Sequence, residues 1–349
     1  MIEKNYDIHD LVRVRLVSRG RSILKGLNFP LSYFETETHF ENPEITLNIG
    51  DFSPSNQGTY LVDYKYHVNE NYIFFEGGIG RTRLKFEIIG FEKGPTKINL
   101  DGRIGGLYDI ISPDILAHDQ ILIPMIEMAL ASKGVFLTHG CGIMEDERAH
   151  LFLGRAGALK STIALYAADK GMSILGDDRV IFDPLNKRAY CFPLFPRLIE
   201  YLIDSGRGEK IDTPARIALL HHLRREEPRR RSLWPSGPIS LSSLNLVVRK
   251  DSSMVKPEKR KIEKKIAIDM MVANNMAEIS TSGIPRVANR IFSELMAAYS
   301  FTFPDSHIAG YWSGIREMLN KISGEIELFK IEMPVKLNRE DFHDIYSKS

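Results

Sequence analysis

The stretch Gly154-Arg-Ala-Gly157-Ala158-Leu159-Lys160-Ser161-Thr162 limits what this chain can fold into more than any other. It follows the phosphate-loop pattern G-x-x-x-x-G-K-[ST] with one departure, Leu159 at the second glycine. Such a loop works only between a strand and a helix, because backbone N–H groups and the helix N-terminus together wrap the phosphates. The sequence provides both. Residues 150–153 predict a strand, 161–170 a helix that Gly171 ends, and 172–175 the next strand, running into Gly176, Asp177 and Asp178. Upstream, a helix is expected over 115–132 with Gly134 at its end. A strand over 135–138 follows, joined to the loop's own strand through 145–147.

The chemistry follows from residue type. Lysine at the seventh loop position reaches β- and γ-phosphates, and the hydroxyl after it holds Mg²⁺, so these roles fall to Lys160 and Ser161, with Thr162 as neighbour. Gly154, Gly157, Ala158 and Leu159 supply the cradle. Phosphoryl transfer also needs carboxylates for the metal and a base for the attacking hydroxyl. Asp177 and Asp178 are the candidates, and a polar turn closing a hairpin is the plain alternative. His139, at a strand end before Gly140-Cys141-Gly142, is placed to orient a phosphate or a carboxylate. Arg197, after a proline-rich stretch, suits a bidentate grip on phosphate. His150 reads as structural.

Elsewhere the chain divides. Residues 1–112 read as a β-rich, mainly antiparallel domain, with strands expected at 11–17, 60–66 and 84–89. Residues 113–349 form the core that carries the phosphate loop. In it a strand is expected at 244–248, a helix at 285–299 and a late strand at 326–331. The arginine run at 224–231 reads as an exposed connection, and the lysine-rich 252–265 as a mobile segment. Gly77-Gly-Ile-Gly80 and Gly102-Arg-Ile-Gly-Gly106 look like nucleotide loops but are expected to be turns. The expected class is α/β (α+β), with a mixed sheet in the core.

Composition narrows the partners. With 46 basic and 45 acidic residues, no general field draws the chain to nucleic acid or a membrane. The two cysteines, Cys141 and Cys191, cannot build a disulfide framework. The first ten residues lack the apolar core of a signal peptide, and no apolar run approaches the ~18 residues of a spanning helix. A soluble cytoplasmic protein is expected, with homo-oligomerisation left open.

The ordered set of His139-Gly140, a second strand, the phosphate loop, a helix and the pair Asp177-Asp178 resembles the HPr kinase/phosphorylase family, and more broadly the phosphoenolpyruvate carboxykinase-like nucleotide fold. The likeness covers about residues 130–183, and the stretch ending in Arg197 resembles a loop of related kinases. It implies ATP and Mg²⁺ as cofactors, with Lys160 on the β/γ-phosphates and Ser161 and Asp178 on the metal. Asp177 and Asp178 would share base and metal duties, and His139 would lie by the transferred phosphate. Two departures stand out: Leu159, and the lack of a Glu-x-Arg-Gly segment after the aspartates. The second points away from HPr and phosphorolysis, toward a kinase acting on a hydroxyl of another protein, a peptide or a small molecule. The alternatives are a sensory nucleotide-binding module without transfer, and a nucleotide hydrolase.

Overall fold

In a computed structural model, residues 1–19, 31–55, 59–79, 82–103, 121–193, 234–250, 254, 256–281, 288–338 and 340–346 are described. The chain is a mixed α/β protein of two compact units. The first comprises Met1–Lys133 and Ile279–Gly314, the second Gly134–Glu278 and Ile315–Ser349.

The first unit is built on a nine-stranded mixed sheet. Its strands are β1 (Ile2–Ile8), β2 (Val12–Ser18), β3 (Glu35–Thr36), β4 (Ile45–Ile49), β5 (Tyr60–Val62), β6 (Tyr66–Asn69), β7 (Tyr72–Ile79), β8 (Thr82–Ile89) and β9 (Thr96–Arg103). They are ordered β3-β1-β2-β4-β9-β8-β7-β6-β5. The pairs β2–β4 and β4–β9 run parallel and the rest antiparallel. Alternation explains the faces: Val12, Val14 and Leu16 of β2, and Ile45, Leu47 and Ile49 of β4, are buried, while the residues between them are not. Helix α1 (Ile123–Ser132) belongs to this unit and ends at Gly134, whose φ is +75°.

Two expectations change here and one is met in part. The strand expected at 60–66 is a hairpin, because Asp63 and Tyr64 both take positive φ and Lys65 N donates to Val62 O at 3.1 Å. The hairpin expected at Gly77–Gly80 is present, β7 turning back into β8 with Ile79 opposite Thr82, although Gly77 and Gly78 themselves lie in β7. Gly102, expected in a turn, lies inside β9 opposite Leu84.

The second unit carries an eight-stranded mixed sheet. Its strands are β10 (Phe136–Glu145), β11 (Arg148–Leu153), β12 (Ser173–Gly176), β13 (Arg179–Asp183), β14 (Arg188–Tyr190), β15 (Ile239–Arg249), β16 (Glu258–Lys261) and β17 (Glu327–Met333). β11 and β17 flank β15 in parallel, and the other pairings are antiparallel. Helix α2 (Lys160–Asp169) packs on β10 and β12. Helix α3 (Lys264–Thr281) follows β16, so the segment expected to be mobile over 252–265 contains a strand and a helix start. Then come α4 (Ala288–Thr302), which belongs to the first unit, α5 (Tyr311–Leu319) and α6 (Phe342–Tyr346). No helix among the described residues is long and apolar enough to cross a membrane.

Candidate phosphate site of the second unit

The site starts where β11 ends. β11 is held between β10 and β15 as far as Leu153, and the chain then leaves the sheet at Gly154. A Cβ at Gly154 would lie 2.3 Å from the carbonyl oxygen of Val247 on β15, so only glycine can make this exit. The loop turns through a hydrogen bond from Ala158 N to Arg155 O (3.1 Å) and passes Gly157 at φ +82°. Leu159 then takes φ 66° and ψ 19°, the left-handed conformation that glycine adopts freely. The leucine meets a glycine's backbone requirement at a strain of about 1–2 kcal/mol, while its side chain is buried. As the N-cap of α2 it offers no side-chain acceptor, so the first-turn amides of α2 have no side-chain cap. An uncapped helix N-terminus beside a lysine is a seat for an anion.

Lys160 is 6% exposed. Its Nζ donates to the carbonyls of Gly154 (2.7 Å) and Arg155 (3.0 Å), so the side chain folds back under its own loop. Burial lowers its pKa, and the charges of Asp178, Cys141, Glu278 and Asp177 act in the opposite direction. Ser161 is partly buried and Thr162 buried.

Asp177 and Asp178 do not close a hairpin. β13 pairs with the first half of β10 (Arg179 opposite His139), and β12 pairs with the second half (Gly176 opposite Gly142). The two aspartates thus interrupt a single antiparallel track along β10, held by Gly140 N donating to Asp178 O at 3.1 Å. The track requires glycine at two points: a Cβ on Gly176 would lie 2.0 Å from Arg179 O, and one on Gly140 2.8 Å from Phe152 O. Asp177 is 2% exposed, whereas the Asp178 side chain is 29% exposed. Cys141, enclosed beside Asp177, has its thiol pKa pushed up by burial and then by that carboxylate, which makes it a packing residue and not a nucleophile.

His139 is buried, with Nδ1 3.4 Å from Asp178 Oδ1 and 3.6 Å from Glu278 Oε1. Its backbone is fixed from α3. β11 pairs with β10 only from Gly140 onward, so the edge at 137–139 is open on that side. Asn275 fills it: Oδ1 accepts from Thr138 Oγ1 (3.0 Å) and His139 N (3.3 Å), and Nδ2 donates to Leu137 O (3.0 Å). Asn274 Nδ2 donates to His139 O at 2.9 Å. Glu278, one turn further along α3, meets Arg155 Nη1 of the loop at 3.5 Å.

Lys160, Asp177, Asp178 and His139 therefore share one site with Glu278, Arg155, Asn274 and Asn275, which sequence reasoning missed. A signal existed: two adjacent asparagines inside a helix are costly unless they bond to something buried. Arg197 and the run at 224–231 lie outside the described residues. His150 is in another place, its Nδ1 2.9 Å from Ser243 Oγ, and burial pushes its pKa down to about 4. It is structural, as expected.

Among the described residues, no group of three or more His, Cys, Asp or Glu side chains could hold a metal by itself. Mg²⁺ bound to a nucleotide needs only one or two protein oxygens, the rest being phosphate and water. Ser161 at the start of α2 and the partly exposed Asp178 fit that smaller requirement. No protein-family model matches this chain, and no curated protein matches it either.

Proposed function

We propose that this chain is an ATP-dependent phosphotransferase of the HPr serine kinase-like type, with a phosphoenolpyruvate carboxykinase-like second unit. It moves the γ-phosphoryl group to a hydroxyl of a protein, peptide or small molecule. The observation that carries the reading is the buried Lys160 at an uncapped helix start, acted on by Asp178, Glu278 and Asp177. A loop that merely connected two elements would gain nothing from burying a lysine among carboxylates.

The roles follow from exposure. Lys160 exchanges its contacts with the Gly154 and Arg155 carbonyls for phosphate oxygens. Asp178, the accessible carboxylate, takes the acceptor's proton, and its neighbour His139 fixes its orientation. The acceptor oxygen forms its bond to the γ-phosphorus as the bond to the β,γ-bridging oxygen breaks, and ADP leaves with that electron pair. Asp177 stays buried and balances Lys160. Mg²⁺, held by Ser161 and Asp178, would supply neutralisation of phosphate charge. A cytoplasmic location, where ATP is plentiful, belongs to the same reading.

The competing reading, a nucleotide sensor without transfer, draws on Leu159 and on the tie between Lys160 and its own loop carbonyls. Calorimetric titration with ATP, with and without Mg²⁺, tests both. Metal-dependent binding that Lys160→Ala abolishes supports a working loop. Asp178→Asn should then still bind ATP, more weakly in Mg²⁺ because one metal ligand is lost, and lose about 10²–10⁴ in transfer, the usual contribution of a general base. Binding with no transfer to any acceptor would favour the sensor.

A further inference from the structure

The first unit contains a cavity of about 560 Å³, on the side of the sheet opposite the buried alternation of β2 and β4. Register puts its lining in rows across three strands: Arg15, Thr46 and Lys97 in one, Val17, Asn48 and Asn99 in the next. Arg19 extends the first strand's contribution. On an ordinary solvent face such cations pair with nearby carboxylates, as Lys4 does with Glu35. Among the described residues, Arg15, Arg19 and Lys97 make no such pair. Among the described residues, the Arg15 guanidinium has one long hydrogen bond, Nη1 to Phe40 O at 3.4 Å, and its Nε, shielded from water, has no partner. Two carboxylates also line the cavity. Asp51 lies 3.8 Å from Lys85 Nζ, and Glu41 is exposed at the rim.

A second feature fixes what stands opposite these cations. Glu87 is fully buried, and its Oε2 accepts from Ser55 N (2.9 Å), Ser55 Oγ (3.0 Å) and Tyr72 Oη (3.1 Å). Its Oε1 accepts from Asn99 Nδ2 (2.5 Å), and Asn99 Oδ1 accepts from Asn48 Nδ2 (2.8 Å). A carboxylate oxygen can only accept here, so each amide in the chain is locked in orientation. Asn48 commits one of its two N–H donors to Asn99, which fixes the orientation of its amide and leaves its carbonyl oxygen as an acceptor on a residue that lines the cavity.

We propose that this cavity binds a small anion that also carries an N–H or O–H donor. The carboxylate or phosphate of the ligand meets Arg15, Arg19 and Lys97, and its donor meets Asn48. The site is independent of the phosphate loop and of the kinase reading.

Calorimetry on the full chain tests this with L-serine as the carboxylate probe, O-phospho-L-serine as the phosphate probe and acetate as an anion lacking a donor. At least one donor-bearing probe should bind in the millimolar range or tighter, and acetate at least tenfold more weakly. Binding of L-serine identifies the carboxylate, and binding of O-phospho-L-serine alone identifies the phosphate. Lys97→Gln and Arg15→Gln should each weaken binding about tenfold or more, and Asn48→Ala should reduce the preference over acetate. Lys97 is exposed, so its variant keeps the fold even if that of Arg15 does not. Lys160→Ala should bind the probe like the parent chain. Three results would overturn the proposal: no binding by either probe, binding that survives Lys97→Gln unchanged, or binding lost in Lys160→Ala.

Discussion

At Leu159 two opposing effects can be weighed. Replacing it with glycine removes about 1–2 kcal/mol of left-handed strain. It also removes a buried leucine side chain worth about 1.5–3 kcal/mol, and glycine adds about 0.5–1 kcal/mol of chain entropy. Burial wins, so Leu159→Gly should lower stability by about 1–2 kcal/mol in urea unfolding. ATP affinity should stay equal or rise, since the backbone that faces the phosphates keeps its shape. His150 gives a second test at this scale. Its folded pKa of about 4 lies below the ordinary value of 6.5, so between those values the unfolded chain binds the extra proton. The contribution to stability is complete above pH 6.5 and is lost as pH falls toward 4, by up to about 3 kcal/mol. His150→Gln should flatten that acid limb in denaturation curves recorded from pH 7 to pH 4, and an unchanged slope would place the lost protons elsewhere.

Between residues and the whole molecule, the element that organises the site is α3, through its asparagines on the open edge of β10. Asn275→Ala strips partners from Thr138 Oγ1, His139 N and Leu137 O, all of them buried. A loss of about 2–4 kcal/mol is expected on chemical denaturation, from three bonds of roughly 1 kcal/mol plus the cost of unmet groups. Transfer should fall with it, because His139 loses its anchor. The pairing of β12 and β13 with β10 gives a matching test. Gly176→Ala puts a methyl 2.0 Å from Arg179 O, so the track holding Asp177 and Asp178 must shift. ATP-dependent turnover should drop at least tenfold while Lys160 and its loop remain intact. The loop, its strand, its helix and the aspartate pair were legible because each is local, set by spacing along one stretch of chain. Glu278, Asn274 and Asn275 were not. They reach the site only through tertiary packing, more than a hundred residues after the loop, and their helix lies beside a lysine-rich stretch that reads as mobile.

On the scale of the whole chain, the β-rich character of the N-terminal part was legible from alternation, but not its two parallel strand pairs, which depend on crossovers with no local signature. Nor does composition announce that the chain re-enters the first unit at Ile279–Gly314. That return has an energetic consequence. α4 buries Leu295, Ala298 and Tyr299. Glu294 accepts from Tyr66 Oη at 2.9 Å and pairs with Lys65 at 2.5 Å, and Tyr299 Oη accepts from Asn71 N at 3.0 Å. Burial of the leucine and the tyrosine alone is worth about 5 kcal/mol, comparable with the whole stability of many domains. A fragment of residues 1–133 should therefore show no cooperative thermal transition by circular dichroism. The same fragment carrying residues 279–314 on a flexible glycine-serine linker should regain one, and Tyr299→Ala in that fusion should remove most of the gain. Cooperative unfolding of 1–133 alone would mean that the nine-stranded sheet is closed by α1 without α4, and the return segment would then be an accessory to the first unit and not a part of its core.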